Sequence, residues 1–387
     1  MSAHGPTSPD RLAASLGALV RIPSVNPLHA SPRSGDDAER HMSGWLAERA
    51  DALGAEVVFD HVTDGRCNVY ATFAGSSDRT LAIDVHLDTV GVEHMARDPF
   101  DGAVEGTRVF GRGAVDTKAS LAVVLDVLDE LRSEGRRPVP TVQVVGTVGE
   151  EAGGFPGAMR YRDWLLENGL SVDQLIVAEP TLCAPVHGHK GGCDLEVIVH
   201  GEAVHSAQVS TGINAVSAAA RIVAAIDEEH ARLAASQWTT PVGAGSVTTV
   251  GINGGIAPNI VPDRCEMRIN RRTAPGEQVE SVFAALDDLV VAAAAPAEVE
   301  LVRGFAAEAF YREPDTALVQ RISEVGGSIP AVAAFGSNAL FYSDVAAELV
   351  VFGPGSIDQA HKAVEWIEIG ELVRAADIYR RLFVDTG

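Results

Sequence analysis

Apolar and β-branched positions gather in short runs along the first half of the chain, at Asn68–Phe73, Thr80–His86, Thr141–Val148 and Gln174–Ala178, each with the length of a buried strand. Between these runs apolar positions recur at helical spacing, over Asp37–Leu53, Ser120–Glu134 and Gly157–Asn168. Strands alternating with helices predict an α/β fold with a mostly parallel, doubly wound sheet. From about Gly192 the texture changes to a strand at Asp194–Val199, a helix at Asn214–Leu233, strands at Gly245–Ile252 and Asp263–Asn270, and a helix at Glu277–Ala294. This order fits an inserted α+β, ferredoxin-like unit with an antiparallel sheet. The Ala-rich Val290–Ala297 reads as a helix end. After Phe310 the first pattern returns, with a helix at Asp315–Val325, a strand at Glu348–Phe352 and a helix from Trp366 to Leu382. The expected organisation is a discontinuous domain, residues 1–191 plus 305–387, interrupted by an insertion over 192–304.

The length of 387 residues exceeds what one core usually supports and agrees with two domains. A formal charge of −23 argues against nucleic acid or an anionic membrane surface as partner, because both are bound through clustered Lys and Arg. No run approaches the ~20 apolar residues of a membrane span. The N-terminal stretch reads as an amphipathic helix without a signal-cleavage pattern, so a cytoplasmic location is expected. Cys67, Cys183, Cys193 and Cys265 lie far apart with no C-x-x-C and read as reduced, buried thiols. Gly111-x-Gly113 and Gly353-x-Gly355 lack the third glycine of a dinucleotide fingerprint, and no phosphate loop occurs.

The chemistry lies just past the predicted strands. His86-Leu87-Asp88, Gly149-Glu150-Glu151, Glu179-Pro180-Thr181 and Gly353-Pro354-Gly355 followed by His361 each trail an apolar run, and Asp116 precedes the helix at Ser120. In an open α/β sheet the ligand crevice lies beyond the carboxyl ends of the strands, so these places can converge. A solvated surface gives no reason for acids and histidines to follow several strands along one edge, whereas a dinuclear metal site needs that distribution. If Asp116, Glu151 and Glu179 coordinate, their charges offset most of that of two divalent ions, and one hydroxide neutralises the cluster. His86 and His361 would then supply one imidazole per ion. Asp88, sharing a face with His86, is placed to accept the ring N–H, and Glu150 to take a proton from activated water.

These residues stand in motifs that resemble the co-catalytic metallopeptidases that include aminoacylase, acetylornithine deacetylase, succinyl-diaminopimelate desuccinylase and carboxypeptidase G. The resemblance covers nearly the whole chain. It runs in order through His86-x-Asp88, Gly111-Arg112-Gly113-x-x-Asp116-x-Lys118, Glu150-Glu151, Glu179-Pro180-Thr181, Gly201-x-x-x-His205-Ser206, Asn259-x-x-Pro262 and Gly353-Pro354-Gly355 to Ala360-His361. It implies that Asp116 bridges two divalent ions, most often zinc, with cobalt or manganese as alternatives. His86 and Glu179 complete one site, Glu151 and His361 the other, and Glu150 is the general acid/base. The inserted domain is then a lid and homodimer surface, with His205 stabilising the oxyanion in cis or in trans. Asn259 and Arg272 resemble positions that bind the substrate carboxylate or carbonyl, with Arg271 adjacent and the register open by one. Gly353 and Gly355 either let the backbone approach substrate or make an ordinary Gly-Pro turn.

The local motifs are most similar to acetylornithine deacetylase-like members, which implies an N-acyl amino acid as substrate and hydrolysis of its amide by metal-activated water. Two stretches depart from the pattern: Lys362-Ala363-Val364-Glu365 replaces a Pro-Asp-Glu sequence, and Ser337-Asn338-Ala339 stands where members carry an acidic or Thr-containing segment near the substrate. A dipeptidase, a carboxypeptidase, a specialised biosynthetic amidohydrolase, or a non-catalytic binding protein on the same fold are the alternatives.

Overall fold

The computed structural model describes residues 8–34, 38–63, 65–238 and 240–385. The start of the N-terminal stretch and Asp37, the first residue of one expected helix, lie outside the described residues. The chain divides into two compact units, one running to His187 and resuming at Arg312–Ala331 and from Ser337, the other comprising Gly188–Tyr311 and Val332–Gly336.

Along the chain, α1 (Pro9–Val20) and α2 (Ala38–Ala52) precede β1 (Glu56–Thr63), β2 (Arg66–Phe73) and β3 (Thr80–His86). Then come α3 (Lys118–Ser133), β4 (Thr141–Thr147), α4 (Pro156–Glu167), β5 (Val172–Val177) and β6 (Val186–His189). The second unit contributes β7 (Gly192–His200), α5 (Ala215–Ala234), β8 (Ser246–Gly254), β9 (Arg264–Arg272), α6 (Val279–Ala294) and β10 (Glu298–Ala307). The chain closes with α7 (Ala317–Gly326), β11 (Ala346–Val351) and α8 (Ile369–Val384).

The sheet of the first unit runs β1-β2-β4-β3-β5-β11-β6. Its centre, from β4 through β3 and β5 to β11, is parallel, and the flanking pairs are antiparallel. Alternation along the strands decides which layer each residue meets. Val69, Ala71, Leu81, Ile83, Val85, Val142, Val144 and Val350 join one buried cluster with Leu16 of α1, Leu46 of α2, Val124 of α3 and Tyr379 of α8. The opposite face carries Tyr70, whose ring lies 5.0 Å from Tyr161 and 4.8 Å from Trp164 of α4. Helices therefore cover both faces, as a doubly wound sheet requires.

The second unit is a four-stranded antiparallel sheet of order β8-β9-β7-β10 with two helices, the ferredoxin-like order. Leu195, Val197, Val199, Val247, Cys265, Met267 and Ile269 face Ile222 and Ile226 of α5 and Phe283, Leu286 and Val290 of α6.

Among the described residues the structure differs from the sequence reading in several strands and one helix start. β1, β6 and β10 were not expected; β10 follows the Ala-rich helix end directly and completes the sheet. Trp366–Glu368, expected as the first turn of the last helix, instead pairs antiparallel with Arg108–Phe110. The Arg108 guanidinium lies 3.7 Å from the Trp366 ring centroid and Arg108 Nε donates to Glu368 at 2.6 Å, which holds that segment extended.

Candidate metal centre

The carboxyl ends of β3, β4, β5 and β11, together with the turn before α3, bring the expected side chains of the first unit together. His86 ends β3, so its ring stands at the rim of the parallel sheet. Its Nε2 lies 3.1 Å from Asp116 Oδ1 and 4.0 Å from Glu179 Oε1. His361 Nε2 lies 3.2 Å from the other Asp116 oxygen, Oδ2, and 3.0 Å from Glu151 Oε2. Two groups of candidate ligand atoms result, His86–Asp116–Glu179 and Asp116–Glu151–His361, each with its atoms within 4.8 Å of one another. Asp116 is common to both. His361 takes a left-handed backbone, φ 61°, and its carbonyl accepts from His94 Nε2 at 3.0 Å.

Electrostatics shows what this arrangement suits. Burial pushes the Glu150 and Glu179 carboxyls well above the usual range, with nearby carboxylates adding to the effect and His86 opposing it. Burial and Asp116 push Glu151 up to about 7. His361 is raised to about 10 by its contacts with Asp116 and Glu151. Burial works to raise the Asp116 carboxyl, but the two histidines hold it well below the usual range. Several buried carboxylates crowded together are costly without cations among them. Glu151 Oε1 is buried and, among the described residues, has no hydrogen-bond partner. An orphaned carboxylate oxygen beside imidazole nitrogens and further carboxylates is a donor set that suits divalent metal ions.

Residues 82–385 match peptidase family M20/M25/M40. The chain belongs to that family. An acetylornithine deacetylase from Myxococcus xanthus is 32% identical over 362 residues, covering 89% of each chain. A tripeptidase from Staphylococcus aureus superposes with a TM-score of 0.78 at 21% identity over 98% of each chain. A dinuclear metal-binding M20 peptidase from Bacillus subtilis gives 0.71 at 16% identity over 97% of each chain. This chain is thus an M20 metallohydrolase, and its two ligand groups support two divalent ions. No helix among the described residues is long and apolar enough to cross a membrane.

In this M20 chain Asp88 sits beside His86 but does not take its ring N–H as expected. His86 Nδ1 lies 3.0 Å from the Asp88 backbone carbonyl and 3.6 Å from the carboxylate. The carboxylate is engaged by Asn26 Nδ2 at 2.8 Å and by the backbone N–H groups of Glu150 and Glu151 at 3.1 and 3.0 Å. Asp88 therefore holds the turn that presents both glutamates. Burial acts to raise its carboxyl, yet His86, Asn26 and the Glu151 N–H hold it below the usual range.

The glycines after β11 serve packing. Gly355 has φ 86°, and a Cβ there would fall 2.2 Å from Val115 Cγ2. A Cβ on Gly353 would fall 2.6 Å from the Glu179 carbonyl oxygen. Both glycines let the loop press against segments that carry Asp116 and Glu179. Asp358 is exposed, its backbone N–H donates to Ser356 Oγ at 3.2 Å, and it lies outside both ligand groups.

The second unit carries the remaining expected residues, all exposed. His205 Nδ1 accepts the Ala207 N–H at 3.2 Å, so the neutral ring keeps its proton on Nε2 as a donor. Ser206 N–H donates to the Asn259 carbonyl at 3.0 Å, which sets His205 and Asn259 side by side. Burial separates the adjacent arginines: Arg271 is 4% exposed and donates to Glu277, whereas Arg272 is exposed at the end of β9.

Sequence reasoning missed a layer of buried polar residues. Glu365 accepts the backbone N–H groups of Val115 and Asp116, at 3.0 and 3.3 Å, and pairs with Arg112. Ser337 and Asn338, expected near substrate, are buried; Asn338 Nδ2 donates to Asp84 Oδ2 at 2.8 Å, beside Tyr342 Oη at 2.8 Å. Asp84, a lone acid inside an apolar strand, was the one available signal for that network.

Proposed function

We propose that this chain hydrolyses the amide bond of N-acyl amino acids as a dinuclear deacylase. The observation that carries the reading is Asp116, which offers one carboxylate oxygen to the His86 side and the other to the His361 side. His86, Asp116 and Glu179 would hold one ion and Asp116, Glu151 and His361 the second, with zinc the expected metal and cobalt or manganese its substitutes. Ions bound there supply the positive charge that polarises an acyl carbonyl and lowers the pKa of water. Glu150, half-buried and held by the Asp88-anchored turn, takes the proton from the attacking water and returns it to the leaving amine nitrogen. The Nε2–H of His205 is the donor for the oxyanion, and Asn259 and Arg272 are the contacts for the substrate carbonyl and carboxylate. The second unit serves as lid and as the surface of a homodimer. Likeness to acetylornithine deacetylases supports an N-acylated α-amino acid over a peptide. The test is a screen of zinc- or cobalt-loaded protein against N-acetyl, N-formyl and N-succinyl amino acids beside dipeptides, read by amine release. Preference for an N-acyl amino acid is expected; strong preference for dipeptides would overturn the deacylase reading.

A further inference from the structure

Behind the ligands lies a closed ring of buried and backbone contacts. Glu365, four residues beyond His361 and 1% exposed, accepts the Val115 and Asp116 N–H groups on Oε1 and Arg112 on Oε2. Its own backbone carbonyl accepts Gly111 N–H at 3.1 Å, so both its main chain and its side chain grip the turn before Asp116. Arg112, also 1% exposed, donates from Nη2 to the Gly91 carbonyl at 3.0 Å. Three residues on, His94 Nε2 donates to the His361 carbonyl. The ring closes through the 3.2 Å approach of His361 Nε2 to Asp116 Oδ2. A non-glycine residue with φ 61° is held there by its surroundings, and the His94 contact at its carbonyl is one such restraint on His361.

We propose that Glu365, Arg112 and His94 are positioning residues that keep Asp116 and His361 in register for the ion they share. Glu365 fixes the Asp116 backbone, Arg112 ties Glu365 to the 91–94 loop, and His94 fixes His361. This rests on the reading of these groups as metal ligands, but it requires no substrate.

The test is cobalt titration of metal-free protein, followed by visible absorption and by metal content, with circular dichroism as the control for folding. Glu365→Ala is expected to weaken the ion at Asp116, Glu151 and His361 by about 10–100-fold. Glu365→Gln keeps an oxygen for the two N–H groups and is expected to bind that ion nearly as the parent does. Both variants lose the ion pair with Arg112, so a role in folding alone predicts equal losses. If Glu365→Ala does not fold, His94→Ala opens the same ring at an exposed position and is expected to weaken the same ion. Unchanged cobalt affinity in Glu365→Ala or His94→Ala, or equal weakening in the Gln and Ala variants, would overturn the proposal. A chain that binds two ions but cleaves no N-acyl amino acid would refute the proposed activity and leave this one standing.

Discussion

Replacing Gly355 by Ala separates a packing glycine from a substrate-contact glycine. The residue has φ 86°, and its carbonyl accepts the Leu182 N–H at 2.6 Å, so the backbone has little freedom to turn away. The new methyl would meet Val115 Cγ2 at 2.2 Å and Ile367 Cδ1 at 3.1 Å, both on side chains that are 1% exposed. Left-handed backbone costs an L-residue about 1–2 kcal/mol, and an extra methyl in a filled core about 1–3 kcal/mol, so the sum is about 2–5 kcal/mol. Gly353→Ala has no positive φ and should cost only the packing part, about 1–3 kcal/mol. The assay is urea unfolding of metal-free protein followed by tryptophan fluorescence, with Trp366 reporting beside Ile367. If Gly355→Ala stays within about 0.5 kcal/mol of the parent while its KM rises, the packing argument is wrong and the glycine serves the substrate.

Glu150→Gln should lower kcat by about 10²–10⁴-fold with metal content unchanged by mass spectrometry, and an active variant would remove Glu150 from the mechanism. Lys118 is buried, donates to the Ile22 carbonyl at 2.7 Å, and is pushed down to about 7 by burial, with Glu365 pulling the other way. The folded chain then binds fewer protons at Lys118 than the unfolded chain between pH 7 and 10.5, so stability rises with pH across that window, by at most about 1.4 kcal/mol per pH unit. Urea midpoints of the parent relative to Lys118→Met should therefore rise from pH 7 to pH 9; a constant difference contradicts it. Cys183, Cys193 and Cys265 are buried, and burial raises Cys183 to about 12 and Cys193 to about 11, whereas Cys67 is half-buried. A thiol reagent at pH 8 should label Cys67 first and all the cysteines only after denaturation.

Much of this was legible where pattern and position coincide. β3 spans the residues expected, because five of its seven positions, Thr80, Leu81, Ala82, Ile83 and Val85, are β-branched or apolar. The metal-ligand candidates were legible for a related reason: a chemistry-bearing residue after each strand is a local signal. β1 was hidden because it is an edge strand whose exposed and half-buried positions do not alternate cleanly. Glu365 was hidden because nothing local distinguishes an acid buried among backbone N–H groups from one on the surface. Asn338 misled in the same way, since its partner Asp84 lies far off in the chain and only the fold joins them.

We propose that Asp116 is shared by two divalent ions. Anomalous diffraction from crystals of cobalt-loaded protein tests it most directly. Two peaks are expected, roughly 3.5–4 Å apart as in two-metal sites, one against His86 and Glu179, the other against Glu151 and His361, with Asp116 touching both. A single peak, or two that do not share Asp116, would contradict it.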